Sequence, residues 1–246
     1  MNEESETIDG PNGRLAFRRI GGDGPAIVWL GGFKSDMTGT KAAALALWAT
    51  QSGRAFLRFD YSGHGASEGR FEDGTISTWL ADALAAIDQL TRGRLILAGS
   101  SMGGWIAALT ALRLKERLAG LVFIAPAPDF TEALIWDQMT GPEREEVMRN
   151  GRLIEHSPYS DEPAIITRAL IEDGRRHLIL GGSIDIVCPV RILQGMADHD
   201  VPWRHALKFA ECLATDDLEV TLLKAGDHRL SKPHEIAKII AAIRSI

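Results

Sequence analysis

The sequence predicts an α/β domain: a mostly parallel central sheet flanked by helices, with one small helical insertion. Three observations predict it. Short apolar runs alternate with segments of helical periodicity, the signature of parallel strands joined by helical crossovers. One such run, Leu95-Ile96-Leu97-Ala98, feeds into Gly99-Ser100-Ser101-Met102-Gly103 and then a helix-forming stretch. The alternation breaks after Pro128 and resumes at Val190. The core is therefore expected over 1–128 and 183–246. An insertion over 129–182 is expected to form a lid above the strand ends, where ligands bind in open α/β sheets.

In order along the chain, Arg14–Ile20 alternates as an early strand, and Ala26–Leu30 reads as a buried strand closed by Gly31-Gly32. Thr40–Thr50 is rich in alanine and leucine and reads as a helix; Ala55–Phe59 is a strand ending at Asp60. Ile76, Leu80, Ala83, Leu84, Ile87 and Leu90 recur at helical spacing, with Gly93 as the expected C-cap. After a strand over 95–99, Trp105–Leu114 continues as a helix, apolar on all sides from Trp105 to Leu112, as expected under a doubly covered sheet. Leu121–Ala125 is a strand stopped by Pro126 and Pro128. Residues 129–182 carry two or three helical patterns and the loop His156-Ser157-Pro158-Tyr159. Val190–Leu193 resumes the sheet, Pro202–Leu213 is helical, and Leu218–Leu223 is a strand. The last helix places Ile236, Ile239, Ile240 and Ile243 on one face, with Ser231 as cap.

A chain of 246 residues can bury a large single core. Its net charge of −6 argues against non-specific nucleic-acid binding, which needs a basic face. Cys188 and Cys212 give neither a disulfide framework nor metal-ligand spacing, and fit a reducing compartment. No metal or cofactor is expected. The first residues, MNEESETIDG, lack the positive start and apolar core of a secretory signal, and the expected setting is cytoplasmic. Residues 95–112 are uncharged throughout, but glycines and adjacent serines interrupt them. A turn explains that run better than a membrane span does.

The chemistry centres on Ser101. Gly99-Ser100-Ser101-Met102-Gly103 fits G-x-S-x-G, in which a sharp strand-to-helix turn holds the serine in strained backbone and lifts its hydroxyl above the sheet. A serine hydroxyl needs a base to take its proton, and histidine titrates near working pH. An acid must then fix the imidazole tautomer. His228, after the last strand and before the last helix, is the base candidate. His64, His156, His177, His199, His205 and His234 are read as surface or loop residues. Asp198, in the loop after the strand at 190–194, is the acid candidate; Asp200 is its rival, read instead as an N-cap of the next helix. Two backbone N–H groups should face the developing oxyanion. Met102 follows the serine at a helix N-terminus, and Phe33 lies in the loop after the 26–30 strand.

The order serine, acid, histidine resembles the α/β-hydrolase superfamily over essentially the whole chain. Asp60-Tyr61-Ser62-Gly63-His64-Gly65-Ala66-Ser67, Gly99–Trp105, Gly195–Trp203 and Asp227-His228-Arg229 are similar to segments of the acyl-protein thioesterase and acyl-glucuronide esterase family of animals and its bacterial relatives. The resemblance implies a serine hydrolase of acyl esters or thioesters, acting on a small-molecule or acylated-protein substrate. It implies Ser101 as nucleophile, Asp198 as acid and His228 as base. The chain departs from the superfamily in carrying Gly31-Gly32 where many members have His-Gly. Leu134, Ile135, Trp136 and Met139 are candidates to line an acyl pocket, and their helical spacing fits packing within the insertion equally well. Two other readings stay open: the same three residues serving a C–C hydrolase or acyltransferase, and a non-catalytic scaffold that binds a ligand.

Overall fold

The computed structural model describes residues 3–155 and 164–246. Its elements are β1 (Glu4–Gly10), β2 (Gly13–Ile20), β3 (Asp23–Leu30), α1 (Thr40–Ser52), β4 (Arg54–Phe59), α2 (Ile76–Leu90), β5 (Leu95–Ser100), α3 (Met102–Arg113) and β6 (Leu118–Ile124). There follow α4 (Gly141–Asn150), β7 (Arg152–Glu155), β8 (Ala164–Thr167), α5 (Arg168–Gly174), β9 (Val190–Gly195), α6 (Trp203–Cys212), β10 (Leu218–Leu223) and α7 (Pro233–Arg244). Eight strands form one sheet in the order β1-β2-β4-β3-β5-β6-β9-β10. β2 pairs antiparallel with β1 and β4, and every other pair is parallel.

Successive side chains of a strand point to opposite faces, and both faces of this sheet are covered. Val28, Leu30, Leu97, Leu121 and Phe123 enter one core with residues of α2, α3 and α6. Ile27, Trp29, Ile96, Val122 and Ile124 enter the other, with Ala42 and Leu45 of α1 and Ile239 and Ile243 of α7. Each such side chain contributes about 1.5–3 kcal/mol by leaving water. This double cover is why the central strands read as continuous apolar runs. It is also why α3 is buried from Met102 through Ala111. Among the described residues no helix is long and apolar enough to cross a membrane.

Four local features differ from the sequence expectations. β1 is an additional strand, paired to β2 from Glu4↔Arg19 to Gly10↔Gly13. It is an edge strand held by main-chain bonds, so Ser5, Glu6, Thr7 and Asp9 stay in solvent and no apolar alternation announces it. Gly93 does not cap α2. The chain leaves the helix extended at Thr91, whose N–H and Oγ1 both donate to the Ile87 carbonyl. α7 starts from Lys232 rather than Ser231: the Lys232 N–H donates to the Glu235 carboxylate at 2.8 Å, and Pro233 takes the first helical position, where a missing N–H costs nothing. The stretch between β6 and β9 is not purely helical, because β7 and β8 form a two-stranded antiparallel ribbon. Strands of four residues are too short for a period to register. His156-Ser157-Pro158-Tyr159 lies outside the described residues.

The stretch from β6 to β9 is closed on itself near its ends and tied to α2. Near its start, the buried Asp129 carboxylate accepts the N–H groups of Ile179 (2.9 Å) and Leu180 (2.8 Å), so its exit returns to its entry. Asp173, in α5, accepts from the N–H and Oγ of Ser77 on α2.

Candidate active site

Ser101 sits between β5 and α3 at φ 55°, ψ −122°, a conformation that L-residues rarely adopt. Its surroundings enforce the turn. A Cβ on Gly99 would lie 2.3 Å from the Gly103 carbonyl, and one on Gly103 would lie 2.0 Å from the Leu30 carbonyl. Both positions therefore require glycine. The turn is bonded to the end of β6: the Ser101 N–H donates to Ile124 O (3.0 Å), and Ser101 O accepts from Ala127 N–H (3.1 Å).

Three of the residues singled out in the sequence meet above the sheet. His228 Nε2 lies 3.1 Å from Ser101 Oγ, and His228 Nδ1 lies 2.8 Å from Asp198 Oδ2. A carboxylate only accepts, so Nδ1 carries the proton and Nε2 presents its lone pair to the Ser101 hydroxyl. The Asp198 side chain is wholly buried. Its Oδ1 accepts from the N–H groups of Asp200 and Val201, both at 2.9 Å, and its Oδ2 also accepts from Gln194 Nε2 at 3.0 Å. Four hydrogen bonds thus stand in for the lost water.

Asp200 does not cap α6. The helix is entered through Pro202 without a side-chain cap, and the Asp200 N–H is spent on Asp198. Asp198, Asp200 and His228 bring three potential metal-ligand atoms within 4.8 Å. Asp198 and His228 Nδ1 are already engaged with each other and with the main chain, which is the donor set of a proton-handling pair rather than a cation cage. Gln194, buried at the end of β9, escaped the sequence reading. Its one signal was an amide at the carboxyl end of the strand run Val190–Gly195.

The other histidines stand elsewhere. His64 is buried rather than at the surface. It is packed edge-on to the rings of Tyr61, Phe71 and Trp79, with Nδ1 on the Ser62 carbonyl, and burial holds its pKa down at about 4. His205 Nε2 bonds Pro128 O, and His177 Nε2 bonds Ser77 Oγ; burial lowers both pKa values. His199 and His234 are exposed, and His156 is outside the described residues.

Ser101 and His228 open into a cavity of about 420 Å³ whose wall includes Trp29, Phe33, Lys34 and Lys41. The Gly31-Gly32-Phe33 loop passes against the serine turn, since a Cβ on Gly32 would lie 3.4 Å from Ser101 Cβ. Neither Phe33 N–H nor Met102 N–H has a protein acceptor among the described residues. Leu134, Ile135, Trp136 and Met139 are absent from the described residues lining this cavity. Leu134 and Ile135 pack onto the core instead, and the guanidinium groups of Arg144 and Arg175 lie over the Trp136 ring, 5.3 and 4.7 Å from its centroid.

Comparison with known proteins gives a consistent picture. A family model described as serine aminopeptidase, S33, matches residues 26–173. The palmitoyl-protein thioesterase ABHD10, mitochondrial, of Bos taurus is 36% identical over 236 residues, covering 96% of this chain and 76% of that protein. A crystal structure of an Agrobacterium vitis S4 protein superposes with a TM-score of 0.96 at 48% identity, covering 100% of this chain and 99% of the other. The α/β hydrolase domain-containing protein 10 from mouse superposes with a TM-score of 0.90 at 32% identity, covering 100% and 98%.

Proposed function

Because the chain belongs to the α/β-hydrolase family matched over residues 26–173, we propose that it is a serine hydrolase cleaving acyl esters or thioesters through an acyl-enzyme on Ser101. The observation that carries this reading is the unbroken run from Ser101 Oγ to His228 Nε2 (3.1 Å) and from His228 Nδ1 to Asp198 Oδ2 (2.8 Å).

The Ser101 oxygen attacks the acyl carbon while His228 Nε2 takes the hydroxyl proton. The carbonyl electron pair moves onto oxygen, where the N–H groups of Met102 and Phe33 receive the charge. The tetrahedral adduct collapses, and the leaving alcohol or thiol departs with the proton from His228. A water molecule then gives a proton to the same nitrogen and attacks the acyl carbon. Collapse of this second adduct releases the carboxylic acid and restores the Ser101 hydroxyl. Asp198 stays ionised throughout and offsets the imidazolium charge. General-base assistance is worth ~10²–10⁴ in rate, and each oxyanion donor ~10²–10³. The dipole of α3 adds to the donor at Met102.

The name of the animal relatives supports S-acyl cysteine thioesters as one substrate class. We place the core at 1–128 and 183–246 and read 129–182 as the lid. Both cysteines are free thiols, which fits the cytoplasmic setting included in the proposal. A fluorophosphonate probe tests the reading. Intact mass should rise by one adduct, mapping to Ser101 and absent in Ser101→Ala. A wild-type protein that stays unmodified at Ser101 overturns the reading. Hydrolysis of paired esters and thioesters of graded acyl length then defines the substrate.

A further inference from the structure

Lys41 is placed against the rules of its own helix. Helix N-termini favour anions, yet the first turn of α1 holds no acidic residue and Gly39 provides no side-chain cap. Instead a half-buried lysine stands there, on the wall of the cavity that holds Ser101 and His228. Its Nζ donates to the main-chain carbonyl of Arg229, the residue after His228. The loop is otherwise braced from within and, at the end of β9, by the Ala197 N–H on Gly226 O (3.0 Å) and by the Asp198 carboxylate on His228 Nδ1 (2.8 Å). Asp227 Oδ1 accepts from the N–H groups of Arg229 (3.1 Å) and Leu230 (3.2 Å), and Ser231 Oγ donates to Arg229 O (2.9 Å). Those bonds shape the loop but do not locate it over β5. β10 stands three strands from β5 in the sheet order, about 14 Å at the usual strand spacing. The chain after β10 must therefore carry the imidazole back across the sheet. The bond from α1 holds the loop from the far side of the cavity.

We propose that Lys41 is a positioning residue for His228: its ammonium grips the Arg229 carbonyl and fixes the loop so that Nε2 stays within reach of Ser101 Oγ. The inference rests on the reading of Ser101 and His228 given above. A charge-assisted bond is about twice as strong as a neutral one, so the grip weakens when Lys41 loses its proton. Burial lowers the Lys41 pKa from 10.5 to about 8. The groups facing it are Asp227 and Arg229 of the loop, Glu235 of α7 and Asp198 after β9; the three carboxylates raise its pKa and Arg229 lowers it. Lys34 and Asp36 line the same cavity. Activity should therefore decline as pH rises through about 8. Stability should move the other way. A lysine with a depressed folded pKa opposes folding below that value, and the penalty fades as pH rises from about 8 towards 10.5.

The test compares wild type, Lys41→Met and Lys41→Arg by fluorophosphonate labelling rate and ester turnover from pH 6 to 10, with thermal midpoints at pH 7. Lys41→Met should lower kcat by ~10–100-fold, as expected for a small misplacement of a reacting group. Its KM should be nearly unchanged, its alkaline decline near pH 8 lost, and its midpoint at or above that of wild type. Lys41→Arg should recover most of kcat and move the alkaline limb upward. Labelling of Lys41→Met at the wild-type rate with the wild-type pH profile overturns the role of Lys41 alone. A wild type that does not label at all overturns the parent reading instead. If Lys41→Met melts below wild type, the wild-type profile decides, and a flat alkaline limb through pH 8 refutes the proposal.

Discussion

Asp198 and Asp200 differ by two positions in one loop, yet their surroundings assign them unlike parts. Asp198 is enclosed and holds Gln194, His228 and two main-chain amides; Asp200 is exposed and supplies one of those amides. The sequence order of serine, acid and histidine made Ser101, Asp198 and His228 legible, because a G-x-S-x-G turn, a post-strand acid loop and a pre-helix histidine each leave a local pattern. Gln194 left only an amide near the end of a strand run, although its partners Asp198 and Val201 are close in sequence. Lys41 left nothing, because its contact is with Arg229, distant in the chain, which no local spacing encodes. Replacing Asp198 with Asn would turn an amide towards His228 and favour the wrong imidazole tautomer. Acyl turnover should fall by roughly 10⁴-fold with little change in melting, as kinetics and calorimetry on Asp198→Asn would show.

At the level of elements, the buried strands and α3 were readable because apolar residues must fill both faces of the sheet. Termini were less so. Thr91 ends α2 through its hydroxyl and N–H on Ile87 O, and Lys232 opens α7 beside Glu235, where sequence pointed to Gly93 and Ser231. Caps are decided by one or two bonds and shift easily along the chain. β1 was invisible because an exposed edge strand needs only main-chain partners. The β5–α3 turn is the opposite case, with its geometry written in glycines. Gly103→Ala would push a methyl group towards the Leu30 carbonyl, which lies 2.0 Å from the ideal Cβ position. Crowding of this kind typically costs about 1–3 kcal/mol. At roughly 2–4 °C per kcal/mol for a chain of this size, differential scanning calorimetry should show a clear drop. Fluorophosphonate labelling should slow as the Ser101 turn is displaced.

For the whole molecule, acid stability should depend on His64. A histidine held neutral with a pKa of about 4 favours the folded state above its unfolded value near 6.5. That contribution is lost as pH falls from about 6.5 to about 4, since only the unfolded chain binds the proton there. Asp60, Asp82 and Asp129, whose pKa values burial raises, act in the opposite sense above the usual carboxylate range. Thermal midpoints of wild type should therefore fall between pH 7 and pH 5, and His64→Phe, which suits the aromatic cage, should flatten that fall. An unchanged slope would show that His64 is not the group responsible.

The sheet also governs how the enzyme should fail when heated. Ser101 and Asp198 project from the ends of β5 and β9, with β6 between them, in the most enclosed part of the ladder. Peripheral fraying at β1 leaves that spacing untouched. Only disruption of the central strands separates the two residues, and by then the chain has melted as a unit. Loss of the Ser101–Asp198 spacing therefore shares one barrier with loss of fold, whereas the loop that carries His228 follows edge strand β10 and can shift before that barrier is crossed.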